Sequence, residues 1–239
     1  MDKRAYIRDE FSKIQIELSE KQAEQFEQYY EMLIAKNEVM NLTAITEFEE
    51  VVQKHFIDSV MIKEVRELGD NEKWIDVGTG AGFPGIPLKI VYPQLQVTLL
   101  DSLNKRVKFL QEVVDALGLE QVEALHGRAE EYAKKAEYRE QYDCCVSRAV
   151  ANLASLSEYC LPFVKVDGAF VPYKSGKIQE EIEAAGKAVE ILGGWIGQRK
   201  EFMLPGSDMY RCLLYIEKVK ATAKKYPRKA GMPTKEPLH

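Results

Sequence analysis

Three alternating glycines behind a short apolar run are the residues of this chain best suited to hold a small ligand. The run Trp74–Val77 has the aromatic and β-branched residues of a strand, and it contains Asp76. Gly78, Gly80 and Gly82 follow, and each can adopt a positive φ and let the backbone approach a ligand that a Cβ would exclude. Prolines and apolar residues come next, as is typical of a helix start. We therefore predict a strand, a tight turn and a helix, with a ligand held at the turn.

The charge of Asp76 bears on which ligand the turn holds. Gly80, Gly82 and Gly85 also fit the G-x-G-x-x-G spacing of dinucleotide sites. A carboxylate at the mouth of the turn would repel a pyrophosphate, but it would attract a ligand that carries an ammonium and a sulfonium. S-adenosylmethionine (SAM) has both charges and an adenosine. We therefore favour a methyl-donor site over a nicotinamide site, and a turn that merely joins a strand to a helix is the third interpretation.

Further polar residues lie where the next predicted strands end. Asp101 ends the second strand, 19 residues beyond the third glycine, a separation at which an acidic side chain can meet ribose hydroxyls. Ala129 and Glu130 follow the third strand, and Arg148 follows the fourth. Because ligands of open α/β sheets bind beyond the carboxyl ends of the strands, we expect all four residues to face one crevice, with Ala129 and Glu130 near the adenine.

The residues after the fourth strand limit the choice of methyl acceptor. Methylation of exocyclic amines usually goes with an acidic or amide residue and two prolines, where this chain has Ser147-Arg148-Ala149. Methylation of cytosine carbon needs an exposed, activated cysteine, whereas Cys144 and Cys145 lie inside an apolar strand. A guanine N7 has a free lone pair and needs neither device. A small-molecule nitrogen or oxygen stays equally open. No catalytic base is expected, and Arg148 is a candidate for a positioning role.

The elements that must position these residues alternate regularly. Five predicted strands alternate with helices between residues 73 and 192, and Phe202–Leu204 with Arg211–Lys218 form a closing antiparallel pair. This pattern predicts an α/β fold, with a doubly wound, mostly parallel seven-stranded sheet and an antiparallel edge hairpin.

A small helical region is predicted before the sheet. Residues 1–70 are expected to be helical, with a capping box at Ser19 and Gln22, and to pack against the core. His55 and Asp58 are three residues apart and so share one helix face. The pair could do acid–base chemistry, but we favour a hydrogen-bonded pair that fixes helix packing. Residues 71–220 would then form the ligand-binding domain and 221–239 a basic C-terminal tail.

The composition excludes several classes of protein. The chain has 239 residues, of which 46% are hydrophobic and 30% charged, as in an ordinary globular protein. Its four cysteines lack C-x-x-C spacing and its three histidines do not cluster, so we expect neither a disulfide framework nor a metal site. The beginning of the chain lacks the apolar core of a signal peptide, and no run is long enough to span a bilayer. We expect a cytoplasmic monomer.

Charge is unevenly distributed along the chain. Seven basic residues and one acidic residue lie between Lys218 and His239, although the net charge of the whole chain is −5. A basic tail on an acidic body can contact phosphate locally while the body repels most polyanions. A solvated, partly disordered tail is an equally good interpretation of the charge alone.

Seven motifs in register resemble those of one known family, the bacterial 16S ribosomal RNA guanine-N7 methyltransferases of the RsmG family, formerly called glucose-inhibited division protein B. They run from the first helices to the tail. The motifs are NLTAI (Asn41–Ile45), HFIDS (His55–Ser59), DVGTGAGFPGIPLKI (Asp76–Ile90), LLDSLNKRVKFL (Leu99–Leu110), GRAE (Gly127–Glu130), SRAVA (Ser147–Ala151) and YPRKAGMP (Tyr226–Pro233).

This resemblance implies a class I SAM-dependent methyltransferase fold that acts on one guanine in the 530 loop of 16S ribosomal RNA. The substrate form would be the small ribosomal subunit, an assembly intermediate or naked RNA. The residues that the resemblance assigns to SAM are Gly78, Phe83, Ala129, Glu130 and Arg148. To these we add Asp76, Gly80 and Asp101 from their positions. Candidates for the RNA side, chosen by position and charge, are Arg148, Lys174, Lys225, Arg228 and Lys229.

Other functions stay open at this point. A methyltransferase of a small metabolite is the first alternative, and the basic tail argues against it. An RNA-binding assembly factor with a relic pocket is the second, and the intact glycine series argues against decay. The nicotinamide enzyme is the last.

Overall fold

The first part of the fold is helical, as predicted. The structure, a computed structural model, describes residues 2–176 and 178–239. The capping box predicted at Ser19 and Gln22 is formed and begins the second helix. The helical elements before the sheet are α1 (Lys3–Lys13), α2 (Glu20–Met40), α3 (Phe48–Val51), a π-helix (Val52–Ile57), α4 (Asp58–Val60) and a 3₁₀-helix (Met61–Glu64).

Strands and helices alternate through the rest of the chain. The strands are β1 (Lys73–Val77), β2 (Gln96–Asp101), β3 (Val122–His126), β4 (Tyr142–Arg148), β5 (Val164–Lys174), β6 (Gly194–Met203) and β7 (Tyr210–Lys218). The helices are α5 (Gly85–Val91), α6 (Asn104–Ala116), α7 (Ala129–Tyr132), α8 (Leu153–Cys160), a 3₁₀-helix (Leu161–Phe163), α9 (Gln179–Ile191) and α10 (Met232–Lys235).

The seven strands form one sheet in the order β3-β2-β1-β4-β5-β7-β6. The first five strands are parallel, and β7 is antiparallel to both β5 and β6. This confirms the predicted doubly wound sheet with an antiparallel edge. The prediction for the edge hairpin was wrong in one respect. Its first strand begins at Gly194 rather than at Phe202, because a strand exposed along most of its length lacks the apolar signal on which the prediction relied.

Side chains of the central strands alternate between two cores, one on each face of the sheet. Trp74 of β1 joins the core formed with α1, α2, α5 and α6, whereas Ile75 and Val77 join the core formed with α8 and α9. The helices before β1 therefore pack on one face and share its core. This packing fixes α2 directly beneath the turn that follows β1. None of the helices in the described part of the chain has the length and apolar content required to cross a bilayer.

One lysine is buried on the side of the sheet that packs against α8 and α9. Lys218, at the end of β7, is 0% exposed and donates from Nζ to the carbonyl oxygens of Leu161 (2.6 Å) and Val164 (2.9 Å). The carboxylate of Glu140 lies 3.2 Å from Nζ. Burial disfavours the ammonium and lowers the pKa of Lys218 to about 8, while Glu140 opposes this change.

The lowered pKa of Lys218 predicts a pH dependence of stability. Below pH 8 the lysine is protonated in both the folded and the unfolded chain, and burying the charge costs free energy of folding. Between pH 8 and its ordinary pKa of 10.5, the unfolded chain binds more protons, so stability should rise with pH. The free energy of unfolding of Lys218→Met should therefore rise less steeply with pH than that of wild type, by up to about 1.4 kcal/mol per pH unit. Urea unfolding of both proteins from pH 7 to 10.5 would measure it, and equal slopes would contradict the assignment.

Candidate functional site

The turn after β1 is held in a conformation that leaves its upper side open. The φ angles of Gly78, Gly80 and Gly82 are 73°, 64° and 109°. A Cβ on Gly82 would lie 2.7 Å from the hydroxyl of Tyr29, so this glycine permits close packing on α2. A Cβ on Gly80 would meet nothing within 4 Å. The turn is therefore packed tightly on its lower side and open above Gly80.

Asp76 lies beneath the turn rather than at its mouth, which corrects the expected placement. Its side chain is 0% exposed, and Oδ2 accepts hydrogen bonds from Thr79 Oγ1 (2.7 Å) and Gly85 N (2.8 Å). Burial raises the pKa of Asp76 to about 7, although these bonds and Arg148 favour the carboxylate. Oδ1 has no hydrogen-bond partner among the described residues. Asp76 thus shapes the turn from below and keeps one buried acceptor oxygen unpaired.

Asp101 is a second carboxylate under the turn. Its Oδ2 accepts from Gly80 N (2.9 Å) and its Oδ1 from Leu103 N (2.8 Å), and the side chain is 3% exposed. Arg106 approaches Oδ2 at 3.5 Å. The structure therefore shows Asp101 as a brace for the glycine turn, and a contact with ribose stays a prediction.

Two cavities open at the carboxyl edge of the parallel strands and meet at the turn. The larger has a volume of about 740 Å³, and the smaller has about 200 Å³. Gly78 and Ala151 line both of them. Among the residues expected to meet SAM, Gly80, Phe83 and Arg148 line the larger cavity, and Ala129 and Glu130 line the smaller one. The cavities together have the dimensions of a small-molecule site with two ends.

Asp58 joins three elements in the wall of the larger cavity. Its Oδ2 lies 2.8 Å from Arg148 Nη1 at the end of β4, and its Oδ1 lies 2.7 Å from Arg211 Nε on β7. Asp58 is 1% exposed. The predicted direct pairing of Asp58 with His55 is absent from the bonds of the described residues. Both instead share Arg148, which lies 3.4 Å from His55 Nδ1.

His55 is held as a neutral ring against the cavity. It stacks on Phe83 with ring centroids 4.5 Å apart, and its Nε2 lies 2.8 Å from Thr43 Oγ1. Burial, together with the nearby positive charge of Arg148, lowers the pKa of His55 to about 3. Because the ring stays uncharged near neutral pH, acid–base chemistry by His55 is disfavoured. The geometry favours a packing role, although without the hydrogen bond to Asp58 that was predicted with it.

The basic residues expected to bind RNA lie in three different environments. Lys225 and Lys229 are exposed. Lys174 lines the larger cavity, where its Nζ donates to Ala151 O (2.9 Å) and pairs with Glu181. Arg228, by contrast, is bound to the fully buried Glu158, with Nη2 and Oε2 2.7 Å apart. The charges of Lys174 and Arg228 are thus both compensated by carboxylates within the protein, and an RNA role for either residue stays a prediction.

All four cysteines are buried, and burial was expected for Cys144 and Cys145. All four are free thiols, and burial raises the pKa of Cys144 to about 12 and that of Cys145 well above its ordinary value. A thiolate nucleophile at this edge of the sheet is therefore disfavoured.

Sequence reasoning missed four residues that shape the site. Tyr29 of α2 donates its hydroxyl to Ala81 O in the glycine turn (2.7 Å). Arg211 meets Asp58 across 153 positions of sequence, and Tyr159 and Thr234 line the smaller cavity from distant segments. No periodicity or short motif in the sequence links residues so far apart, so their contacts are seen only in the structure.

Comparison with known proteins identifies the family. Residues 22–202 match the GidB family model, described as rRNA small subunit methyltransferase G. The chain belongs to the GidB family. It is 56% identical over 223 residues to ribosomal RNA small subunit methyltransferase G of Lachnoclostridium phytofermentans, covering 93% of this chain and 92% of that protein. It is 50% identical over 238 residues to the protein of the same name from Alkaliphilus metalliredigens, covering 100% of both.

Solved structures share the fold of this GidB family member. A SAM-dependent methyltransferase from Aquifex aeolicus has a TM-score of 0.52 at 21% identity, covering 70% of this chain and 92% of that one. TYW2 of M. jannaschii, solved in complex with AdoMet, has a TM-score of 0.55 at 15% identity, covering 74% and 80%. At these identities the likeness concerns the fold alone. The fold is that of the class I SAM-dependent methyltransferases.

The residues of the glycine turn and of the two cavities fit SAM. A ligand can occupy the open space above Gly80, and a Cβ at this position would contact that ligand. Below the turn, the unpaired Oδ1 of Asp76 leaves one buried polar atom, in a carboxyl whose pKa burial raises to about 7. The larger cavity would take the methionine end and the smaller cavity the adenosine end.

The contrast between two glycines gives a test of this fit. Gly80 and Gly118 both have positive φ, 64° and 60°, and a Cβ on either meets no atom within 4 Å. Alanine at each should therefore cost the same backbone strain, about 1–2 kcal/mol of unfolding free energy. Only Gly80→Ala should weaken SAM binding, by about tenfold or more, which corresponds to about 1.4 kcal/mol.

Calorimetric titration with SAM and urea unfolding of both variants would measure these effects. Gly118→Ala serves as the matched control, since Gly118 follows α6 and lines neither cavity. Equal SAM affinity in the two variants would show that the space above Gly80 is not the binding site.

Proposed function

We propose that this protein transfers a methyl group from SAM to N7 of a single guanine in the 530 loop of 16S ribosomal RNA. The observation that carries the proposal is the pair of cavities that meets at Gly78, in a chain whose family is named for methylation of small-subunit ribosomal RNA. The larger cavity exceeds what the methionine end needs, so it leaves room for an acceptor base beside Phe83 and Arg148.

The chain contributes positioning rather than proton transfer. SAM, when bound, supplies a methyl group on a sulfonium sulfur, and its transfer to N7 moves the positive charge from the sulfur to the purine. N7 carries a free lone pair, so no general base is needed. The glycine turn holds the cofactor end of the site, braced below by Asp76 and Asp101. The contribution of the protein is therefore orientation of the two reactants.

Partial compensation limits the positive charge in the wall of the larger cavity. Asp58 lies between Arg148 and Arg211 and compensates part of their charge. His55 stays neutral because its pKa is lowered to about 3, so it adds no further positive charge. Arg148 also lies over Phe83, with its guanidinium carbon 5.1 Å from the ring centroid, which fixes the orientation of both side chains. We assign Arg148 a positioning role.

The RNA side of the site would consist of basic residues of the cavity wall and of the tail. Lys174 lies in the wall of the larger cavity, and Lys225 and Lys229 are exposed on the tail. Exposed lysines can neutralise phosphates without reading sequence. The substrate would be the small ribosomal subunit, an assembly intermediate of it or its naked RNA.

The decisive experiment is transfer of labelled methyl from SAM to small subunits that lack this modification. We expect one labelled guanine, which becomes cleavable after the treatment that exposes N7-methylguanine. If SAM binds but no ribosomal RNA is labelled, the result would favour a methyltransferase of a small metabolite. If SAM does not bind, a non-catalytic RNA-binding role would be favoured.

Salt dependence tests the tail lysines. Replacing Lys225 and Lys229 by alanine should weaken binding to small-subunit RNA and reduce the slope of log K against log salt by about 1.4–1.8, two phosphate contacts' worth. Filter binding at several salt concentrations would measure the slope. Lys165→Ala is a control for the loss of one charge elsewhere, because Lys165 lies near the amino end of β5, at the edge of the sheet opposite the cavities, and pairs with Asp143. A slope unchanged in the double variant would exclude these lysines from the interface.

A further inference from the structure

The C-terminal tail, residues 221–239, is tied to the body of the protein by one arginine near its beginning. The guanidinium of Arg139 donates to the carbonyl oxygens of Thr222 (2.7 Å), Ala223 (3.3 Å) and Tyr226 (2.9 Å). Because these acceptors are backbone atoms, the bonds fix the course of the chain rather than a side chain. The tail is therefore ordered by the body, in contrast to the solvated segment that its charge alone allowed.

A buried ion pair ties the tail to α8 further on. Glu158, which is 0% exposed, accepts from the backbone N of Arg228 (2.7 Å) and from its Nε and Nη2. Such a bidentate, charge-assisted pair fixes geometry as well as energy. Ser155 Oγ adds a hydrogen bond to Pro233 O (2.7 Å). The segment after Arg228 is thus held along α8 toward the carboxyl edge of the sheet.

Residues near the end of the tail lie at the smaller cavity. The backbone N of Gly231 donates to Glu130 Oε1 (2.9 Å), which fixes the side chain of a residue expected to meet the adenine. Thr234 lines the same cavity, and its Oγ1 lies 2.6 Å from the hydroxyl of Tyr159. The cavity therefore has one wall from the ends of β2 and β3 and another from α8 and the tail.

The hydroxyl pair of Tyr159 and Thr234 can recognise a polar ligand. One proton is used between the two oxygens, which leaves one hydroxyl proton and several lone pairs for a further partner. Adenosine offers matching groups, since its ribose hydroxyls donate and accept and its ring nitrogens accept. The rest of this cavity is lined largely by small and apolar residues such as Leu100 and Ala129, which suit a purine face.

We propose that the tail forms the outer wall of the adenosine end of the SAM site, where Tyr159 and Thr234 hydrogen-bond the adenosine. The proposal rests on the function proposed above. Arg228 and Glu158 are then positioning residues for the cofactor, acting through the tail. The same tail carries Lys225 and Lys229 on its exposed side, so cofactor and RNA would contact opposite sides of one segment.

Two near-isosteric substitutions test the hydroxyl pair with little risk to the fold. Tyr159→Phe and Thr234→Val should each weaken SAM binding about two- to tenfold, the range expected for one hydrogen bond. Adenosine alone should lose affinity by the same factor, because the contact is to that half of the cofactor. Calorimetric titration of the full chain with SAM and with adenosine would measure both. Unchanged affinity for SAM, or a loss for SAM without a loss for adenosine, would overturn the proposal.

Adjacent charges on the tail separate positioning from RNA binding. Arg228→Ala should weaken SAM binding by more than either hydroxyl variant, and Arg228→Lys should restore part of the loss. Lys229→Ala removes a neighbouring charge but not the anchor, so it should leave SAM affinity unchanged. Equal SAM affinity in Arg228→Ala and Lys229→Ala would refute the positioning role. A wild-type protein that binds no SAM would refute instead the proposed function.

Discussion

The site depends on two buried carboxylates that hold the glycine turn from below. Asp76 accepts from Thr79 and from the backbone of Gly85, and Asp101 accepts from the backbone of Gly80. Glycines lose much conformational freedom on folding, so a turn that contains three of them needs such constraints. Because the constraints lie beneath, the upper side of the turn stays free. The carboxylates thus make an ordered ligand platform without occupying it.

A third carboxylate, Asp58, makes the helical beginning of the chain part of the site. It bonds Arg148 of β4 and Arg211 of β7, so three segments far apart in sequence meet at one buried charge. Removing one partner of a buried pair leaves the other charge uncompensated. The position of Arg148 therefore depends on the helices before the sheet as much as on its own strand. The helical region is a structural requirement of the cavity wall, not an appendage.

Much of the fold was predictable because three of the parallel strands, β1, β2 and β4, are short and largely buried. The carboxyl end of β2 was predicted correctly at Asp101, since an apolar run ends there at an acid. β6 was predicted too short, because its exposed polar residues resemble a loop. The site was predictable where glycines and strand ends mark it. The partner of Arg228 was not, because nothing in a basic segment reveals a buried Glu158 70 positions earlier.

The edge strand β6 has a consequence for how copies of the protein behave at high concentration. Its outer side faces no other strand of the sheet, so its backbone groups could pair with a second molecule. Arg199, Lys200 and Glu201 are exposed along it, and the register shifts between Ile196 and Gln198. Charges and an irregular register both oppose edge-to-edge pairing. The exposed polar residues that caused β6 to be predicted too short therefore also protect the protein from aggregation through its open edge.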